Sequence, residues 1–176
     1  MKKIWLVGLM ILTVGLWSNL SFAGYKPGSE PDGFRGIKWG TDISTLSDME
    51  YLETDPSFGG TKRYTRKNES LHLGGAKLKI IKYGFWRGKF CNVYVITEGY
   101  INWTGLKETV FEKFGSGYQD NEYIEYYIWG GDITGMSLEY NEISGRGKLL
   151  VFSKEILKQQ KAYEKEKAKE GAETGF

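Results

Sequence analysis

Apolar and polar positions along the chain change period several times, and the changes mark its elements. Residues 77–86 and 90–97 are rich in aromatic and β-branched side chains, which predicts two strands. Arg87-Gly88 between them is a hairpin turn, because Gly88 can take positive φ. Residues 62–66 and 71–73 predict two lesser strands, 123–129 another, and 133–141 and 148–152 a pair around Gly145-Arg146-Gly147. Met136, Leu138 and Tyr140 alternate with polar neighbours, so that strand turns one face inward.

Helical spacing occurs three times. Ile43, Leu46 and Met49 or Tyr51 recur at three to five residues behind Thr41 and Asp42, predicting a short capped helix. Leu106, Val110, Phe111 and Phe114 form one stripe, with Asn102 or Thr104 as cap and Gly115 as terminator. Ser153 caps a last helix over 154–170, with a brief apolar patch at Ile156, Leu157, Gln160 and Tyr163 and then a polar run of alternating charge. All three prolines precede residue 57, as suits a region whose backbone donors are needed in a sheet. The expected fold is α+β: an antiparallel sheet with two short helices on one face, a possible duplicated α-β-β-β unit, and a charged C-terminal helix.

The first 23 residues have a different pattern. Lys2 and Lys3 precede an apolar run from Ile4 to Trp17, and Ser21-Phe22-Ala23 supplies small residues at the −3 and −1 positions of a cleavage site. That is the pattern of a signal peptide, too short to span a bilayer. The expected organisation is therefore a leader over 1–23, an irregular arm over 24–33, one domain over 34–152, a helix over 153–170 and a tail over 171–176. Cleavage near Ala23 places the protein in the periplasm or outside the cell.

Cleavage also alters the charge. The chain has 24 basic and 22 acidic residues, and removal of Lys2 and Lys3 leaves 22 of each. A balanced, interspersed distribution gives no electrostatic case for nucleic acid or an anionic membrane.

Candidate chemistry is sparse. His72 is the only histidine and Cys91 the only cysteine, so His-His metal sites and internal disulfides are excluded. His72 has no Gly-x-Ser-x-Gly elbow to accompany it. Cys91 falls in a strand pattern and is expected to be a buried, inert thiol. Gly115-Ser116-Gly117 follows a helix, where a dinucleotide loop would precede one. No catalytic, cofactor-binding or metal-binding residue is assigned, and no cofactor is expected. What stands out is aromatic content: 12 Tyr, 8 Phe and 4 Trp from residue 24 onward. Most belong to a core, but a sheet with helices on one face leaves the other for an aromatic patch.

At Gly33-Phe34-Arg35-Gly36-Ile37-Lys38-Trp39-Gly40-Thr41, with Leu46 downstream, and at Tyr83-Gly84-Phe85-Trp86-Arg87-Gly88-Lys89-Phe90, the chain resembles small exported bacterial proteins of unknown function that open on Phe-x-Gly-Ile-x-Trp-Gly. The resemblance covers most of 33–152 and implies export and this order of elements, with no known catalytic residues. The element order is also similar to small outer-membrane assembly and inhibitor-type domains, although this chain lacks their lipidated cysteine and disulfides. The expected function is protein interaction in a bacterial envelope, with Trp86, Tyr127 and Trp129 as contacts. The partner is an unidentified envelope protein or glycan. Two alternatives stand beside it: a carboxylate-based envelope hydrolase and a glycan-binding module.

Overall fold

The computed structural model describes residues 24–175, so the leader expected over 1–23 lies outside the described residues. Strands β1 (Gly33–Phe34) and β2 (Ile37–Lys38) form a small hairpin. β3 (Met49–Asp55), β4 (Thr61–Arg66), β5 (His72–Leu73), β6 (Ala76–Trp86) and β7 (Lys89–Glu98) lead to helix α1 (Tyr100–Phe114). Then come β8 (Tyr126–Gly130), β9 (Thr134–Asn141), β10 (Arg146–Ser153) and helix α2 (Lys154–Thr174). The fold is α+β. Its main sheet is antiparallel, ordered β3-β4-β6-β7-β10-β9-β8, with β5 paired to one end of β6.

Two meanders, β4-β6-β7 and β8-β9-β10, meet at the β7/β10 seam. Their strands match the two expected units, but only the second is preceded by an α-helix. Where 42–51 predicts a helix, the Asp42 carboxylate accepts from the Ser44 N–H at 2.9 Å and caps a single 3-10 turn, Ile43–Thr45. The chain then extends as β3, with Met49 opposite Arg66 and Tyr51 opposite Tyr64 of β4. A short helix with three apolar contacts is marginal, and cross-strand pairing overrides it. At the opposite edge of the sheet, β8 is shorter than expected: Tyr123 is in a turn, its N–H on the Asn121 carboxamide, and is exposed.

The β6–β7 turn is as expected. Arg87 (φ 49°) and Gly88 (φ 79°) are both left-handed, the turn geometry that follows strand twist. Helix α1 starts earlier than its expected caps. Gly99 precedes it, while Asn102 accepts from the Lys77 N–H at 3.1 Å and donates to the Glu98 carbonyl at 2.9 Å, tying the helix to β6 and β7. Gly105 lets the helix approach the β5–β6 turn, because a Cβ there would sit 2.8 Å from the Gly75 backbone. Trp103, Leu106 and Val110 are thereby pressed onto Leu78, Ile81, Val93, Val95, Leu149 and Val151, the main core.

The arm over 24–33 is irregular but anchored. Glu30 accepts the N–H groups of Asp132, Ile133 and Thr134 at 3.1, 2.7 and 2.8 Å. Burial opposes its charge, yet these donors hold its carboxyl below the usual range.

Candidate functional site

The pleat divides the main sheet into two unlike faces. Residues 92–97 of β7 and 147–153 of β10 alternate between buried and half-buried, and Val93, Val95, Leu149 and Val151 of the buried set share the core with Trp103, Leu106 and Val110 of α1. On the other face α2 covers one end only. There Ile156 packs with Trp86 and Cys91, flanked by Phe58 and Tyr163, and Gln160 donates to Thr61 Oγ1 at 3.3 Å. Every described residue of α2 after Tyr163 is exposed.

Strand register sets what the uncovered part presents. One cross-strand row runs Lys82, Tyr94, Leu150, Ser137, Ile128, and the next runs Ile80, Ile96, Lys148, Glu139, Tyr126. Tyr126 is 43% exposed and the other nine are half-buried. Five half-buried large apolar side chains and the exposed Tyr126, on a part of the sheet that α2 leaves uncovered, make an apolar surface.

Charges frame that surface. Glu53 pairs with Lys82 at 2.8 Å and Arg63 at 3.2 Å, Lys79 with Glu98 at 2.8 Å, and Lys148 with Glu139. Lys82, then Arg63, hold the Glu53 carboxyl below its usual range. The Arg63 guanidinium also lies 4.8 Å from the Tyr94 ring centre, over its face. A shallow depression of about 540 Å3 lies between Tyr94, Ile96, Lys82, Lys148, Glu139 and Arg146. Among the described residues Arg146 has no carboxylate at ion-pair distance.

The three expected contact residues are elsewhere. Trp86 is 5%, Tyr127 7% and Trp129 2% exposed. The Trp86 indole donates to the Phe58 carbonyl at 2.7 Å beneath the Arg87 guanidinium, 4.5 Å from its ring centre. Tyr127 and Trp129 face α1, against Phe111, with the Tyr127 hydroxyl on Glu125 at 2.8 Å and the Trp129 indole on the Gly115 carbonyl at 3.1 Å. Such burial withdraws all three as contact residues: each aromatic already has its apolar layer and its hydrogen-bond partner within the fold. Sequence reasoning missed Ile80 of β6, Tyr94 and Ile96 of β7 and Leu150 of β10, which lie half-buried on the uncovered face. The signal was present in the period of two, but not which phase α1 would cover.

Other candidate chemistry resolves into structure. Cys91 is buried, and burial pushes its thiol up to about 12. His72 is exposed on β5. The Tyr83 hydroxyl, fully buried, donates to Glu69, which also pairs with Arg35 at 3.0 Å. Burial, then that hydrogen bond, raises the Tyr83 hydroxyl pKa, a sign of a stable neutral donor. Among the described residues, no His, Cys, Asp and Glu side chains gather in threes to hold a metal ion, and no helix is long and apolar enough to cross a membrane. Comparison with protein-family models, curated proteins and solved structures finds no significant match.

Proposed function

We propose that this is an exported, non-enzymatic protein of a bacterial envelope that binds a protein partner on the uncovered face of its sheet. One observation carries the reading: α2 stops short of the two rows that contain Tyr94 and Ile96, leaving apolar and aromatic side chains on the sheet with the Lys148–Glu139 pair among them. Aromatic and apolar side chains with charged groups beside them are the composition of a protein interface. Arg146, opposite Glu98 across the seam but beyond ion-pair distance of a carboxylate, favours a partner with an acidic rim. Export rests on the pattern of residues 1–23.

The test is crosslinking of the purified protein in envelope extract, alongside Ile96→Glu and Tyr126→Glu. A partner captured by the parent and lost in both variants, with circular dichroism unchanged, is the expected result. Capture indifferent to both variants overturns the docking reading, as does turnover of peptidoglycan or polysaccharide without any protein captured. N-terminal sequencing of the cell-derived protein is expected to begin at Gly24; a start at Met1 overturns export.

A further inference from the structure

A second feature lies on the opposite, covered face and does not depend on the docking surface. Between α1, β10 and the β1–β2 hairpin is a cleft of about 200 Å3. Its walls are Val110 and Phe114 of α1, Leu149 and Val151 of β10, Phe34 of β1 and Leu73 of β5. Three of these, Val110, Leu149 and Val151, are core residues at 2–3% exposure. Well-packed interiors leave few voids larger than a water molecule. An apolar recess of this size accepts apolar guests.

The polar groups at its mouth differ in how they are engaged. Thr109 donates to the Gly105 carbonyl at 2.7 Å. Arg35 donates to the Ser70 and His72 carbonyls, both at 2.7 Å, and pairs with Glu69. Of the nearby acids, Glu30 is turned onto the backbone of 132–134, and Asp32 pairs with Lys38 at 2.9 Å. Lys113 is the exception. Among the described residues it has no carboxylate at ion-pair distance, and its ammonium lies only against the Phe114 ring, 5.2 Å from the centre. Its location in the last turn of α1 does not engage it either. The Glu112 and Phe114 carbonyls accept from Lys26, Phe111 from the Gly115 N–H, and the Gly115 carbonyl from Trp129.

An apolar cleft with one unneutralised cation at its mouth selects a guest with an apolar body and one negative end. We propose that the cleft binds a small apolar monocarboxylate, its body of about six to eight carbons among Val110, Phe114, Leu149 and Val151 and its carboxylate on Lys113. The body supplies most of the affinity by leaving water, and Lys113 sets which end stays at the surface.

The test is a backbone-amide NMR titration of the purified protein with octanoate, 1-octanol and acetate, repeated on Lys113→Gln. Octanoate is expected to give saturable shifts centred on the amides of Val110, Phe114, Leu149 and Val151, and acetate none. Lys113→Gln is expected to weaken octanoate about three- to fivefold, the range of an exposed ion pair, and to leave octanol unchanged. Lys113 is exposed, so this variant is expected to fold. A filling variant, Val110→Phe, abolishes both ligands if it folds. No saturable shift at millimolar octanoate overturns the proposal. So do shifts scattered over the surface or centred on the Tyr94 face. Equal affinity for octanoate and octanol, with Lys113→Gln silent, overturns the assignment of a carboxylate.

Discussion

The two faces of the sheet are built from alternate residues of the same strands, yet only one was given a complete second layer. On the covered face α1 brings Trp103, Leu106 and Val110 down on β6, β7 and β10, and the side chains there are buried. On the other, α2 delivers Ile156 and Gln160 to one end and then runs past the sheet. Helix composition explains the contrast. Residues after Tyr163 are alternately charged and lack an apolar stripe, so extending α2 added length and no cover. A layer holds a sheet in proportion to the apolar area it removes from water, and α1 buries three apolar side chains where α2 buries Ile156 alone.

The largest effect should come from the covered face. Trp103→Ala is expected to cost about 3–5 kcal/mol in urea unfolding, since its ring is fully buried and the space cannot close. Ile96→Ala, one residue from the same core but on the open face, should cost below about 1 kcal/mol. Equal losses would erase the distinction.

Next in size is the polar contact beneath the covered face. Glu69→Ala leaves the fully buried Tyr83 hydroxyl without its acceptor and should cost about 1–3 kcal/mol. Tyr83→Phe in the same background should recover part of that loss, and a non-additive double-mutant cycle is the measurement that checks it.

Cys91 reports on the α2-covered end. With its thiol raised to about 12 by burial, it should be inert to a disulfide reagent at neutral pH and react fully in urea. Faster labelling after truncation at residue 155, but not after truncation at 164, would show that Ile156 and Tyr163 shield it while the charged remainder does not.

The smallest effect concerns acid. Asp42 is held down at about 2, first by the Ser44 N–H and then by the Ser44 hydroxyl and Lys89. A carboxyl depressed in the folded state contributes stability above the ordinary Asp range that disappears as pH falls from about 4 toward about 2. Asp42→Asn should lower Tm slightly at neutral pH, match the parent near pH 2 and so flatten the fall in Tm across that interval; an identical slope in variant and parent removes Asp42 from the account.

Much of this was legible beforehand. The 77–97 hairpin, its Arg87-Gly88 turn, the Ser153 cap and the buried thiol all follow from side chains close in sequence. Ser153 accepts from the Ile156 N–H as its spacing requires. The expected helix over 42–51 was lost for a long-range reason: β4 offers it a partner strand through Arg66 and Tyr64. Trp86, Tyr127 and Trp129 were misplaced as contacts because aromatic character says that a side chain is large, not which phase of the pleat a helix will cover.

By itself the sequence determined the α+β class, the strand hairpins, the charged character of the last helix and the balance of charge after residue 23. These depend on period, turn chemistry and composition, which are local. Only the tertiary structure decided which face of the sheet was closed, how far α2 reached, and that Lys113 stands unpaired at an apolar cleft. Each of those follows from where distant segments meet, and that is set by the summed packing of the whole core.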